Sequence, residues 1–350
     1  MQVKLKILHC VYSMTIGGLE TMLVDIVNGQ VAAGHDVSVL IINDIIDDAL
    51  VAKINPCVKI IAMRRRQGDR PLLLMAKLNL MILRQGYDIV HIHNHKLCRL
   101  IQVRRNRLLF TVHDIDTPMH YASRTNMAAI TDAVREDVKR RVPNAKIRTV
   151  FNGIRTTDIA RREPVTPTVM RIVQVARLDY KKKGQDVLIK AVGTLARSGY
   201  DKVEVSFIGG GNDIDYLKNM AQEEGVADRI HFEGERDRDY VYGHLKDFDV
   251  MCHPSRYEGF GLTIAEGMAA GLPLVVSEGD GPYEVADSGR LCIGVPSGDV
   301  AALATAIMTL KNDWDKAENR ATEATGYVKR FDICHTVEAY ERYYRDLIRK

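Results

Sequence analysis

The sequence predicts two doubly wound α/β domains, each a parallel sheet with helices on both faces. Three observations carry this reading. Short Val- and Ile-rich runs alternate with helix-length stretches throughout the 350 residues, the pattern of βαβ units with buried parallel strands. The length exceeds that of one ordinary core. A polar segment with two prolines, Arg161-Arg-Glu-Pro-Val-Thr-Pro-Thr168, divides the alternation near its middle and reads as a linker.

The elements follow in order. In the first half, strands are expected at 4–11, 36–42, 58–62, 88–93, 107–112, 127–131 and 147–151, with helices at 19–33, 72–86 and 132–141. In the second half, strands are expected near 170–176, 203–209, 229–233, 248–252, 273–277 and 290–293. Its helices fall near 185–198, 213–224, 238–246, 263–271 and 299–311. The domains expected are 1–162 and 163–334, with a last helix at about 335–350 returning to the first. Two such domains would place a ligand cleft at the carboxyl edges of their sheets. The 71–83 stretch is apolar nearly all round, which suits a core helix, while Arg64, Arg65, Arg66 and Arg70 just before it suit an interfacial one.

Composition narrows the function. The chain is 46% hydrophobic and 27% charged, which excludes a disordered or fibrous protein. No apolar run reaches the ~18 residues of a membrane span, and the first residues lead directly into a strand without a signal-peptide core. Six cysteines, at 10, 57, 98, 252, 292 and 334, include no Cys-x-x-Cys, which fits free thiols in a cytoplasmic protein. The net charge of +4 conceals an asymmetry: residues 1–163 hold 25 Lys+Arg against 15 Asp+Glu, whereas the remainder holds 24 against 30. A basic half beside an acidic one suggests that the first half faces something anionic.

The sharpest motif is Ser255-Arg-Tyr-Glu258-Gly-Phe-Gly-Leu-Thr-Ile-Ala-Glu266, running from a strand through a glycine-bearing turn into a helix. Gly259 and Gly261 let backbone approach a ligand, and the free N–H groups of Leu262 and Thr263 make an anion site at the helix start. Glu258 before the turn and Glu266 inside the helix suit hydrogen bonds from sugar and ribose hydroxyls. A second motif, Val175-Ala-Arg177-Leu-Asp-Tyr-Lys181-Lys-Lys183-Gly184, puts cations on a loop at a strand's carboxyl end, where a diphosphate could be neutralised without a metal.

Thr15-Ile-Gly17-Gly18-Leu-Glu20 is a third, weaker candidate, a βα turn able to bring N–H groups to a phosphate. Ile208-Gly209-Gly210-Gly211 lacks the third glycine of a dinucleotide fingerprint, since position 214 is Ile. His91, His93 and His95 alternate at a strand end as metal ligands would, but no acidic or cysteine partner stands at a recognised spacing. His113 ends the following strand, where an imidazole could bond a substrate hydroxyl.

Together these residues resemble the retaining nucleotide-sugar glycosyltransferases of family four, with the two-Rossmann GT-B fold. Glu258 and Glu266 match that family's two acids flanking seven residues. The resemblance implies that Glu258 contacts the donor sugar and Glu266 the ribose, and that Arg177 and Lys183 lie on the diphosphate. Gly17, Gly18 and Glu20 match its Gly-Gly-x-Glu loop, His113 its cleft histidine, and Asp88 to His93 its Asp-Val-Val-His-x-His strand. Asn152-Gly-Ile154 fits its hinge, but Arg155 departs from it, and Asp280-Gly-Pro-Tyr-Glu284 only approximates its Gly-Gly-x-Pro-Glu loop.

The function implied is sugar transfer from a nucleoside diphosphate sugar, with UDP the expected carrier, to an acceptor hydroxyl with retention. Cell-surface polysaccharide or glycolipid assembly is its expected setting. Glu258, His113, Arg177 and Lys183 are the expected catalytic residues. Donor binding is expected from Gly17, Gly18, Gly209, Arg236 and Glu266, and from the turn Gly259, Phe260, Gly261, Leu262 and Thr263. No cofactor and no divalent metal are expected. The partners expected are the donor, a sugar or lipid-linked acceptor, and an anionic membrane surface against the basic domain at the inner face. A sugar phosphorylase or a nucleotide-sugar epimerase on the same fold are the alternatives. A nucleic-acid binder is the alternative of another class, and scarce aromatic residues, with one Trp and seven Phe, speak against it.

Overall fold

The structure, a computed structural model, describes residues 3–66, 72–120, 125–279 and 281–349. The chain forms two compact units, one of residues 1–154 with 332–350 and the other of residues 155–331.

The first unit holds a seven-stranded sheet of β1 (Lys6–Val11), β2 (Asp36–Asn43), β3 (Lys59–Arg65), β4 (Ile89–Ile92), β5 (Leu108–Val112), β6 (Asn126–Ala129) and β7 (Ile147–Thr149). They lie in the order β3-β2-β1-β4-β5-β6-β7, all in parallel. Fully buried strands such as β4 and β5 explain the continuous apolar runs, because both sheet faces are covered. Helix Gly18–Ala32 turns Met22, Leu23, Ile26 and Val27 inward, each worth about 1.5–3 kcal/mol of apolar burial. The last helix, Ile333–Ile348, starts on an Asp332 side-chain cap and belongs to this unit. It sets Tyr340 and Tyr344 fully into the interior.

The second unit holds a six-stranded sheet of β8 (Met170–Val175), β9 (Val203–Ile208), β10 (Ile230–Gly234), β11 (Val250–His253), β12 (Leu274–Ser277) and β13 (Ile293–Val295). The order is β10-β9-β8-β11-β12-β13, again parallel. Each expected strand is present, and the longer expected helices match Gln185–Arg197, Ile214–Glu223, Arg238–His244, Leu262–Ala270 and Val300–Asn312. In both sheets the order reverses beside the first strand, between β1 and β4 and between β8 and β11. The loops leaving those strands are where doubly wound sheets bind ligands.

Two details differ from the sequence reading. The division falls at Ile154/Arg155, ahead of the proline-bearing segment. Backbone bonds from Ala160 to Tyr242 and from Arg162 to Ala270 already bind residues 160–162 to the second unit, as does the Arg162–Glu318 ion pair. The Lys181-Lys-Lys183 run is a helical turn, Tyr180–Lys183, rather than loop, because the Asp179 side chain caps it and left-handed Gly184 ends it.

Candidate functional site

In the second unit, the loops after β8 and β11 meet at the sheet's switch point. After β8, Lys183 ends the capped turn, and a Cβ on Gly184 (φ +70°) would lie 2.0 Å from the Pro254 carbonyl oxygen. Only glycine allows the two loops to close this far. Arg256 locks them further: its guanidinium bonds both Asp186 oxygens at 2.9 and 2.7 Å and the Tyr180 carbonyl at 2.6 Å. Glu258 is thereby held against Lys183. Its Oε2 lies 3.0 Å from Lys183 Nζ and 2.6 Å from His253 Nε2, with the Ser255 hydroxyl at 3.5 Å. Burial alone would raise the Glu258 carboxyl, but the electrostatic pull of His253 and Lys183 outweighs it and holds the acid well below the usual carboxylate range.

The turn that follows opens helix Leu262–Ala270 from Gly261, at φ +78° and without a side-chain cap. Ile264 N–H closes onto the Gly261 carbonyl, so Leu262 and Thr263 head the helix with N–H groups that no intrahelical carbonyl can reach. They concentrate the positive end of the helix dipole there. Thr263 Oγ1 lies 3.4 Å from His253 Nδ1, linking the helix start to the partner of Glu258. Phe260 is buried, edge-on to Phe331. Glu266 is buried inside the helix with Arg238 Nε 3.9 Å away. Gly281 N–H bonds the Glu258 carbonyl at 3.2 Å, so the 281–285 segment also reaches this site. Asp280 lies outside the described residues.

The structure therefore assembles Lys183, Glu258, Gly259, Phe260, Gly261, Leu262, Thr263 and Glu266 in one region of one unit. Arg177 is exposed on the loop after β8, its backbone carbonyl bonded by Gln185 Nε2, and Gly209 follows β9 with its position packed on the Ala176 carbonyl. Arg236 is exposed after β10, its guanidinium 4.8 Å over the Tyr240 ring. Arg238, two residues on, is the arginine beside Glu266, and sequence reasoning missed it. It also missed His253, Ser255 and Arg256, although all three lie within or just before the motif it singled out.

Gly17, Gly18 and His113 belong to the first unit. Gly17 heads helix Gly18–Ala32 with extended backbone (φ −168°) after β1, at that sheet's own switch point. His113 follows β5, partly buried, its Nε2 3.1 Å from His93 Nδ1. His9, His91 and His93 carry ring nitrogens within 4.8 Å of one another, a spacing that suits a metal. Each of their nitrogens is, however, already hydrogen-bonded: His9 to His93 and Gln30, His93 to His113, and His91 to Tyr344 and Thr111. His95 stands apart, 6.4 Å from the His120 ring. Burial lowers His9 to about 4 and His113 to about 3, and lowers His91 and His93 well below the ordinary range.

Two family models match in tandem: "Glycosyltransferase Family 4" over residues 16–158 and "Glycosyl transferases group 1" over residues 157–326. Among curated proteins, D-inositol 3-phosphate glycosyltransferase of Corynebacterium kroppenstedtii is 27% identical over 236 residues, covering 65% of this chain and 52% of that protein. Glycogen synthase of Mycobacterium tuberculosis is 33% identical over 183 residues, covering 51% and 43%. The matches thus span about half the length of these relatives. Among solved structures, Anabaena HepE in complex with UDP and glucose superposes with a TM-score of 0.78 at 21% identity, over 97% of this chain and 98% of that one. Sucrose-phosphate synthase of Thermosynechococcus elongatus does so with a TM-score of 0.82 at 17% identity, over 98% and 99%. With one glycosyltransferase model on each half and the fold shared end to end, the chain belongs to the glycosyltransferases of the GT-B fold, with a family 4 first half and a group 1 second half.

Proposed function

We propose that the protein transfers a sugar from a nucleoside diphosphate sugar to an acceptor hydroxyl with retention at the anomeric carbon, and that the carrier is UDP. The observation that carries this is Glu258, held ionised between Lys183 and His253 just before a helix that starts at left-handed Gly261 without a side-chain cap. An acid that accepts sugar hydroxyls beside a cation and a helix start that accept phosphate is a nucleotide-sugar site. The likeness to HepE, solved with UDP and glucose, supports the choice of carrier.

In this reading Lys183, Arg177 and the helix start stabilise the departing diphosphate, so no divalent metal is needed. The C1–O bond to phosphate breaks as the acceptor oxygen bonds C1 on the same face, and the departing phosphate oxygen takes the acceptor's proton. Glu258 orients the sugar, Glu266 meets the ribose, and His113 meets the reacting sugar or acceptor. The first unit supplies acceptor recognition. Its basic surface docks on an anionic membrane, in keeping with relatives such as the phosphatidyl-myo-inositol mannosyltransferase of Mycobacterium leprae, 31% identical over 162 residues.

The test begins with melting curves in UDP, GDP and ADP, each with EDTA. A ligand at about 100 times its Kd stabilises by roughly 2.7 kcal/mol, and UDP is expected to give the shift. Glu258→Ala and Arg177→Ala should each then cut transfer from the donor so identified by about 100-fold or more. Full activity in either removes the mechanism. Release of a sugar phosphate that depends on added orthophosphate would make the protein a phosphorylase instead.

A further inference from the structure

Gln30, His9, His93 and His113 form an unbroken hydrogen-bonded line through the first unit. Gln30 Oε1 lies 2.8 Å from His9 Nε2, His9 Nδ1 lies 3.0 Å from His93 Nε2, and His93 Nδ1 lies 3.1 Å from His113 Nε2. Gln30, His9 and His93 are all buried, on a helix, on β1 and just past β4. A neutral imidazole has one N–H and one bare nitrogen, and burial keeps these rings neutral. A donor must therefore meet an acceptor at every junction. Reversing one ring alone would set N–H against N–H, or lone pair against lone pair, about 3 Å apart in a dry interior.

The sense of the line is set at its inner end. Gln30 turns its carbonyl oxygen to His9 and its amide nitrogen to the Tyr344 hydroxyl, 3.4 Å away. A carbonyl only accepts, so His9 carries its proton on Nε2 and offers Nδ1 to His93 Nε2–H. His93 in turn offers Nδ1 to His113 Nε2–H. The branch through Tyr344, His91 and Thr111, with contacts of 2.7 and 2.6 Å, accommodates the same orientation: the Tyr344 hydroxyl donates to His91 Nδ1 and His91 Nε2–H donates to Thr111. Among the described residues, His113 Nδ1 is the one ring nitrogen of the line left outside it.

We propose that Gln30, His9 and His93 are positioning residues that hold His113 as its Nε2–H tautomer, leaving Nδ1 a permanent acceptor for a hydroxyl group. A bare neutral nitrogen takes a hydrogen bond from a sugar or acceptor hydroxyl and offers nothing to a phosphate or carboxylate oxygen. The line thus makes His113 selective for hydroxyl over anion. That consequence rests on the reading that His113 meets the reacting sugar or acceptor, whereas the tautomer itself does not.

Long-range ¹H–¹⁵N correlation of the full chain, labelled with ¹⁵N-histidine at neutral pH, tests this, with His113 assigned through its loss in His113→Gln. The expected result is one set of signals with Nε2 protonated and Nδ1 bare. A protonated Nδ1, or averaging between tautomers, overturns the proposal in the unmutated protein, whatever the variants do. Gln30→Met removes the polarity anchor and His93→Phe cuts the line beside His113, so each should release His113 into a tautomer mixture. An unchanged His113 signature in both overturns the role of the line. In Gln30→Met, kcat for the donor selected by the nucleotide melts should fall about tenfold with KM unchanged. A released tautomer with unaltered kcat would leave the line standing and overturn instead the reading that His113 acts in transfer.

Discussion

At Glu258, one carboxylate oxygen accepts from both Lys183 and His253, so removing either partner strands charge in a largely buried place. Lys183→Met should lower the melting temperature, at a cost of about 1–3 kcal/mol, discounted because both side chains keep some exposure, 16 and 21%. Adding Glu258→Gln to it should recover part of that loss, since the stranded charge then disappears. Thermal melts of the two single variants and the double give the coupling directly, and strict additivity would mean that the pair contributes nothing. The histidines make a second residue-scale prediction. His9 and His113 titrate near 6.5 when unfolded but at about 4 and about 3 when folded. Over that window the unfolded chain binds more protons, so stability is full above pH 6.5 and falls as pH drops toward 4, by at most about 1.4 kcal/mol per pH unit for each histidine. Melts from pH 8 to 4.5 should show the midpoint flat at first and then declining, with a gentler decline in His93→Phe. A midpoint unmoved between 6.5 and 4.5 would mean that these rings are not held neutral.

Among the elements, the turn Tyr180–Lys183 decides where Lys183 stands, and Gly184 decides where that turn ends. Gly184→Ala must force a Cβ into the Pro254 carbonyl at a left-handed position. It should therefore destabilise by more than the roughly 1 kcal/mol of an ordinary glycine replacement and weaken nucleotide binding with it, read as a smaller melting shift at saturating UDP. Retention of the full shift would show that the β8 and β11 loops need not touch. The sequence could not reveal this contact, since 70 residues separate the two loops and only the closed backbone brings them together. It did reveal the parallel strands, because a strand covered on both faces must be apolar along its whole length, as in β4 and β5. Short helices such as Asp48–Ala52 and Leu97–Leu100 carry too few turns for a period to show. The acids and glycines of 258–266 were legible because they lie in one contiguous turn. The histidine line was not, because Gln30 and Tyr344 reach it from residues 21 to 314 positions away in the chain.

Over the whole molecule, the excess of basic charge lies in the first part of the chain, and one helix there also exposes apolar side chains. Residues 1–163 carry 25 Lys+Arg against 15 Asp+Glu. Within them, helix Leu72–Gln85 buries Leu78 and Ile82 but leaves Leu80 and Leu83 46 and 77% exposed. Lys77 and Arg84 on the same helix are exposed, as are Arg64 and Arg66 before it; Arg70 and Pro71 lie outside the described residues. The helix thus turns one apolar face inward and leaves leucines and basic residues toward solvent, the side that the membrane docking proposed above would use. No described helix is long and apolar enough to cross a membrane, and we propose this exposed face as the docking surface. Each Lys or Arg near an anionic surface contributes about 1 kcal/mol, and the leucines add area-dependent insertion. The two contributions separate experimentally, because salt shortens the Debye length from about 10 Å at 0.1 M to about 3 Å at 1 M without weakening apolar insertion. The protein should sediment with phosphatidylglycerol-containing vesicles at low salt and not with phosphatidylcholine alone. Leu80→Ser with Leu83→Ser should lower retention at every salt concentration, whereas Arg64→Gln with Arg66→Gln should flatten the salt dependence. If neither pair changes retention, the surface that meets the lipid lies elsewhere on the basic half. If the unaltered protein is not retained at low salt, the acceptor must reach the enzyme from solution.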